Sequence, residues 1–197
     1  METPETADIV IIGGGVMGAS AAYHLAKRGV KNIVLLEKED FFGAGATGRC
    51  AGGVRYQFST EINIRLSLES LPMLECFQEE IGQDVNYRQC GYLLVATNEM
   101  DAATFRQNVE LQNRLGVQTQ LLDGEAVRER LPFMHFEDAL AGTFHHRDGL
   151  VDPNSVVAGY IRAAQRMGVR ALTRAAVTAI RVDRGEVAAV ESTQGLI

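Results

Sequence analysis

Near the start of the chain, Gly13-Gly14-Gly15-Val16-Met17-Gly18 fits the spacing G-x-G-x-x-G, and Glu37 follows Gly18 by 19 positions. Each residue type suits one task. Gly13 permits a tight turn, Gly15 lets backbone approach a pyrophosphate with no Cβ in the way, and Gly18 lets a helix pack closely on a strand. Free N–H groups and the positive end of a helix dipole then hold the phosphates. Glu37 stands where a carboxylate accepts hydrogen bonds from a ribose hydroxyl and repels a 2′-phosphate, which disfavours NADP. The chemistry indicated is dinucleotide binding, against the alternative of a glycine-rich turn in an ordinary α/β domain.

The spacing alone is a weak signal, and the elements around it decide. Asp8-Ile9-Val10-Ile11-Ile12 is a β-branched run that predicts a buried parallel strand. Val16 to Arg28 is rich in alanine and predicts a helix, stopped by Gly29. Asn32 to Glu37 predicts a second buried strand. Together they make a βαβ unit with a right-handed crossover, which is the context the glycines require.

A second glycine-rich loop runs from Gly43 to Gly53 and ends at Val54-Arg55. A simple NAD domain would return to a helix and strand here, so the bare loop suggests a cofactor that extends further along the backbone. The fingerprint by itself does not separate FAD from NAD. An NAD-linked dehydrogenase would need a hydride-relay histidine or lysine, and none stands out. Arg55 has the planar fork that bonds both oxygens of a carboxylate. Arg49 suits flavin or phosphate, or a plain surface charge. Cys50 reads as a small buried residue rather than a flavin thioether.

Further along, Thr60 to Ile81 predicts a helix with Ile62, Leu66, Leu74, Phe77 and Ile81 on one side, kinked or split by Pro72. Gly91 to Thr97 predicts a strand, Asn98 the cap of a helix to Leu115, and Val117 to Leu122 a short strand. Asp123 can cap a brief helix, and Leu140 to His146 alternates like a strand. Asp152-Pro153 opens a helix to Met167. Val169 to Leu172 is a short strand, Val177 to Glu191 a hairpin, and Leu196-Ile197 the start of another strand. His145 and His146, as strand neighbours, point to opposite faces and cannot chelate one metal together, so no metal site is expected. His24 reads as packing, and Tyr56, Tyr87 and Tyr92 default to packing as well.

Composition bounds the rest. The 197 residues make roughly one to one and a half domains at about 150 residues each. With 46% hydrophobic and 22% charged residues the chain is an ordinary globular one. Its net charge of −6 argues against nonspecific nucleic-acid binding and against a basic membrane-surface helix. No apolar stretch is long enough for a membrane span. The acidic leader Met1 to Thr6 lacks the features of a signal peptide, and three scattered cysteines give no disulfide or zinc pattern, so a cytoplasmic location is expected.

The second loop carries a more specific likeness. Residues 8 to 58 resemble the N-terminus of the D-amino-acid oxidase superfamily of flavoproteins. Thr47-Gly48-Arg49-Cys50-Ala51-Gly52-Gly53-Val54-Arg55-Tyr56-Gln57-Phe58 is similar to the β subunits of sarcosine oxidase and L-proline dehydrogenase. The likeness continues through Gln89 to Leu93, Asn108 to Val117 and Asp148 to Pro153, and so covers essentially the whole chain. It implies an α/β fold: a Rossmann-type FAD-binding βαβ domain with part of an antiparallel α+β substrate domain, ending before the C-terminal part that family members carry. Residues 1–83 and 147–197 would form a discontinuous FAD-binding domain and 84–146 part of the substrate domain.

The resemblance further implies FAD bound by Gly13, Gly15, Val16, Met17, Gly18, Glu37 and Lys38, with Gly45, Thr47, Arg49, Cys50, Gly52 and Gly53 along the pyrophosphate and toward the isoalloxazine, and with Val177. Arg55 matches the substrate-carboxylate arginine. No histidine lies between His24 and His135, and none in Val151 to Ser155, so non-covalent FAD and no covalent FMN are expected. The function implied is oxidation of the C–N bond of a secondary or N-methylated amino acid to an imine. The alternatives are a cofactor-binding or assembly fragment without activity of its own, and a primary-amine (glycine or D-amino acid) oxidase. An amino acid substrate and partner subunits or a homo-oligomer complete the expectation.

Overall fold

The computed structural model describes residues 6–197. The acidic leader up to Glu5, with the start of the expected first domain, lies outside the described residues. In chain order the elements are β1 (Ile9–Ile12), α1 (Val16–Lys27), β2 (Ile33–Leu36), β3 (Gly53–Val54), α2 (Glu61–Glu75), α3 (Phe77–Ile81), β4 (Tyr92–Ala96) and α4 (Glu99–Arg114). Then follow β5 (Gln120–Asp123), α5 (Gly124–Arg130), β6 (Ala141–His145), β7 (Gly149–Leu150), α6 (Pro153–Arg166), β8 (Arg170–Leu172), β9 (Val177–Asp183), β10 (Glu186–Ser192) and β11 (Gly195–Leu196). The chain divides into two units: Met1–Gly52 with Gln78–Val85 and Asp152–Ile197, and Gly53–Phe77 with Asn86–Val151.

In the first unit β1, β2 and β8 form a parallel sheet in the order β1-β2-β8. The central β2 is buried at all four positions. The expectation of a fully buried β1 is corrected, since β1 is an edge strand and Ile12 is 51% exposed. Helix α1 buries Ala19, Ala22, Tyr23 and Ala26, and α6 buries Val156, Val157, Tyr160 and Ile161. The Tyr23 and Tyr160 rings meet at 5.3 Å. Small alanines on α1 permit this close helix pairing. Asp152 caps α6 by accepting the Asn154 N–H at 3.1 Å, and Pro153 fills the first turn. Gly29 (φ +88) closes α1 as expected, and Gly168 (φ +96) closes α6 in the same way.

Strands β9, β10 and β11 form an antiparallel meander. Its hairpin turns through Arg184 and Gly185, both at positive φ, as a two-residue turn of matching twist requires. The strand predicted at Leu196-Ile197 pairs back on β10, where Ile197 and Val190 exchange both backbone hydrogen bonds. Val34, Leu36, Ala175 and Val190 make the core here. A cavity of about 450 Å³ opens between β1 and the meander, lined by Val10, Ile12, Ile180 and Val187.

The second unit holds an antiparallel sheet in the order β4-β6-β5 and the short ladder β3-β7. Asn98 caps α4 through the Asp101 N–H at 2.9 Å, and Asp123 caps α5 through the Ala126 N–H at 2.9 Å. Three expectations change. The helix predicted over 60–81 passes through Pro72 and breaks at Cys76. Pro72 is exposed, so the carbonyl robbed of its partner can be hydrated. The buried side of α2 is Ile64, Ser67 and Leu71, while Ile62 and Leu66 are 63% and 56% exposed. A shift of two residues turns a helix face by about 200°. Finally, residues 53–77 and 147–151, expected with the first domain, pack in the second unit. The β3-β7 ladder and a core of Tyr56, Ile64, Leu71 and Val117 place them there.

Candidate functional site

The glycine turn leaves β1 at Gly13, whose φ of +101 suits glycine, and the Gly13 N–H bonds the Leu36 carbonyl at 2.8 Å. A Cβ on Gly18 would come within 1.9 Å of the Gly13 oxygen, so α1 can start against the turn only with glycine there. Glu37 is 8% exposed. Its Oε2 accepts the Gly14 N–H at 2.7 Å and its Oε1 accepts the Glu39 N–H at 3.0 Å. It forms no salt bridge among the described residues. Two backbone donors stabilise a nearly buried anion, and the remaining lone pairs suit a diol. The sequence signals the acid but not its hold on the turn.

The second loop is tied to the first. Gly43 donates its N–H to the Gly14 carbonyl at 2.9 Å, and the Thr47 hydroxyl oxygen accepts the Val16 N–H at 3.2 Å. The Val16 amide, expected free for phosphate, therefore already has a partner. Thr47 keeps its own hydroxyl proton to donate. Gly13 to Gly18, Glu37 and Thr47 come together in one cradle. Met17 is 82% exposed at the helix start.

The other predicted contacts are looser. The Lys38 ammonium is exposed, 3.7 Å from Glu39. Gly45 and Arg49 are exposed, and Gly52 is buried at φ +75. Cys50 is exposed rather than buried, because it follows a single 3-10 turn at the surface. Its thiol donates to the Thr47 carbonyl at 3.0 Å. Val177 starts β9 and packs against the core of Val34, Leu36, Ala175 and Val190. The Ala175 N–H bonds the Glu37 carbonyl at 2.8 Å, which brings the start of β9 near the acid.

The second unit carries Gly53 and Arg55. A Cβ on Gly53 would lie 2.1 Å from the Tyr92 hydroxyl, so only glycine fits. Arg55 is half-buried and stacks its guanidinium 4.9 Å from the Phe58 ring centre. It makes no salt bridge among the described residues. It lines a cavity of about 400 Å³ with Val54, Phe58, Ser67, Leu71 and Tyr92. It also lines one of about 190 Å³ with Gln57, Phe105, Asn108, Gln112 and Thr143. A cation without a carboxylate partner beside apolar walls can bind a small carboxylate.

Around Arg55 the sequence missed a buried polar group: Asp148, His145, Gln57 and Thr143, all under 5% exposed. His145 is buried, its Nδ1 3.0 Å from Asp148. Tyr56 is buried with its hydroxyl unpartnered, and burial pushes its pKa up. Burial likewise pushes Tyr87 up to about 12, and its hydroxyl donates to the Arg147 carbonyl at 3.1 Å. Both phenols stay protonated at neutral pH and cannot serve as bases. No helix among the described residues is long and apolar enough to cross a membrane.

Residues 8–197 match the family described as DAO, FAD dependent oxidoreductase. The chain is 33% identical over 197 residues to mitochondrial dimethylglycine dehydrogenase of Rattus norvegicus, covering 100% of this chain and 23% of that protein. It is 34% identical over 177 residues to FAD-dependent oxidoreductase domain-containing protein 1 of Xenopus laevis, covering 84% and 35%. The solved L-proline dehydrogenase from P. horikoshii superposes with a TM-score of 0.90 at 33% identity, covering 99% of this chain and 51% of that one. The chain thus spans between about a quarter and a half of the relatives it matches.

Proposed function

The chain belongs to the DAO family of FAD-dependent oxidoreductases, and from that premise we propose that it binds FAD without a covalent link and takes part in oxidising an N-substituted amino acid. Glu37 would hold the adenosine ribose. The backbone of Gly15 and Met17, with the Thr47 hydroxyl, would face the pyrophosphate, where the helix dipole favours negative charge. The fit rests on Glu37, a nearly buried carboxylate with two backbone donors and no salt bridge among the described residues. When bound, FAD supplies an acceptor for the hydride equivalent lost from the carbon beside the amine, leaving an imine.

Arg55 would clamp the substrate carboxylate through both nitrogens of its fork, and Val54, Phe58 and Leu71 would exclude water around the carbon chain. The observation that carries this reading is the half-buried Arg55 guanidinium, without a salt bridge among the described residues, at an apolar-walled cavity. Dimethylglycine and L-proline, in the relatives' names, are both N-substituted amino acids with a free carboxylate, which supports the substrate class. The test is Arg55→Ala and Arg55→Lys in an active form of the protein. Alanine should raise KM for such an amino acid about 100-fold, and lysine should recover only part of the loss. An unchanged KM in Arg55→Ala would remove the clamp.

A further inference from the structure

Asp148 has no solvent exposure, yet it carries a carboxylate. A buried charge survives only where donors replace water. Two do so. Oδ1 accepts the Tyr56 N–H at 2.7 Å and lies 3.0 Å from His145 Nδ1, and Oδ2 accepts from Gln57 Nε2 at 2.8 Å. Both donors belong to the residues that directly follow Arg55. The residue directly before it, Val54, pairs with Gly149, the neighbour of Asp148. The backbone of Arg55 is therefore held on both sides by the single step from residue 148 to residue 149.

Gln57 adds a second layer. Its amide donates to Asp148 and to the Tyr92 carbonyl at 3.0 Å, while its oxygen accepts from the Thr143 hydroxyl at 2.6 Å. Those bonds fix which way the amide faces. Arg55 has no anionic side chain to set its aim among the described residues. Its direction comes from this braced backbone and from the Phe58 ring beneath it.

We propose that Asp148 is a positioning residue, which aims the Arg55 guanidinium at the carboxylate of the substrate. The inference rests on the clamp role given to Arg55 above. Asp148→Asn keeps the volume but turns one acceptor into a donor. That donor then faces Gln57 Nε2 or the Tyr56 N–H, and a donor meets a donor either way. Turning the Gln57 amide over would only move the conflict to the Tyr92 carbonyl.

The test uses an active form of the protein with dimethylglycine, sarcosine and L-proline as probes. Asp148→Asn should raise KM about tenfold with kcat within about threefold and flavin content unchanged, an effect of the size seen when the partners of a binding residue are removed. Arg55→Ala/Asp148→Asn should be no worse than Arg55→Ala alone, since positioning has no value without the group positioned. Thr143→Val, which deprives Gln57 of one donor and disturbs the fold less, should raise KM by about threefold. If Asp148→Asn does not fold, Thr143→Val combined with Arg55→Ala decides in the same way. Losses that multiply with Arg55→Ala, or variants that lower flavin content and Tm while KM stays put, overturn the proposal. An unchanged KM in Arg55→Ala itself overturns the clamp and this inference together, whereas a raised KM there with Asp148→Asn unaffected overturns the positioning role alone.

Discussion

The cradle in the first unit and the arginine region in the second are built in opposite ways. The cradle is made of backbone: a turn at Gly13, a helix start free of Cβ at Gly18, and a carboxylate held by the Gly14 amide. Its parts lie within about 40 residues of sequence. The Arg55 region is made of side chains, and three bonds of its brace join residues separated by 86 to 92 positions. A site made of backbone tolerates almost no added atom where chain meets chain. A site made of side chains tolerates substitution but loses aim. The difference predicts where each should fail.

The largest effect should come from Gly18→Ala. Its new methyl would lie 1.9 Å from the Gly13 oxygen, so the turn and the helix start must separate. Overpacking of this kind costs about 3 kcal/mol or more, and FAD affinity measured by fluorescence titration should fall at least about 100-fold. Arg55→Ala should leave that affinity within about twofold while raising KM for substrate. Equal loss in both measurements would erase the contrast between the two regions.

Glu37→Gln comes next. The amide still accepts one backbone N–H but presents a donor to the other, and FAD binding should weaken about tenfold. Tyr87→Phe tests the second unit alone. A phenol whose pKa is raised by burial favours the folded state below its unfolded pKa near 10, and that contribution is lost as pH rises toward about 12. The variant should therefore show a shallower fall in Tm across that window. The smallest effect belongs to Cys50→Ser, since the thiol is exposed. Flavin should pass to the supernatant on acid precipitation in both forms, and flavin kept in the pellet only by the cysteine form would mark a thioether.

The same contrast explains what could be read in advance. The βαβ start, the caps Asn98, Asp123 and Asp152, and the turn at Arg184-Gly185 depend on local rules, and the structure has them where the residues point. Glycine spacing and Glu37 were legible for that reason. Asp148 was not, because nothing near it in sequence says that its partners are Tyr56 and Gln57. The buried face of α2 was misplaced because Leu and Ile stand on both sides of that helix, and only its packing partners choose between them. The surface position of Cys50 was missed because a small residue among glycines carries no burial signal of its own.

The bonds from Gly43 to Gly14 and from Val16 to Thr47 have a kinetic side. Ordering a loop costs about 1 to 2 kcal/mol for each residue fixed. Here two hydrogen bonds of the fold itself tie the loop down and contribute toward meeting that cost. A dinucleotide that seats here would draw on ties the fold supplies as well as on its own contacts. Such a site behaves as a permanent seat rather than a revolving door, which suits a redox group that is recharged in place through many cycles instead of being exchanged after each one.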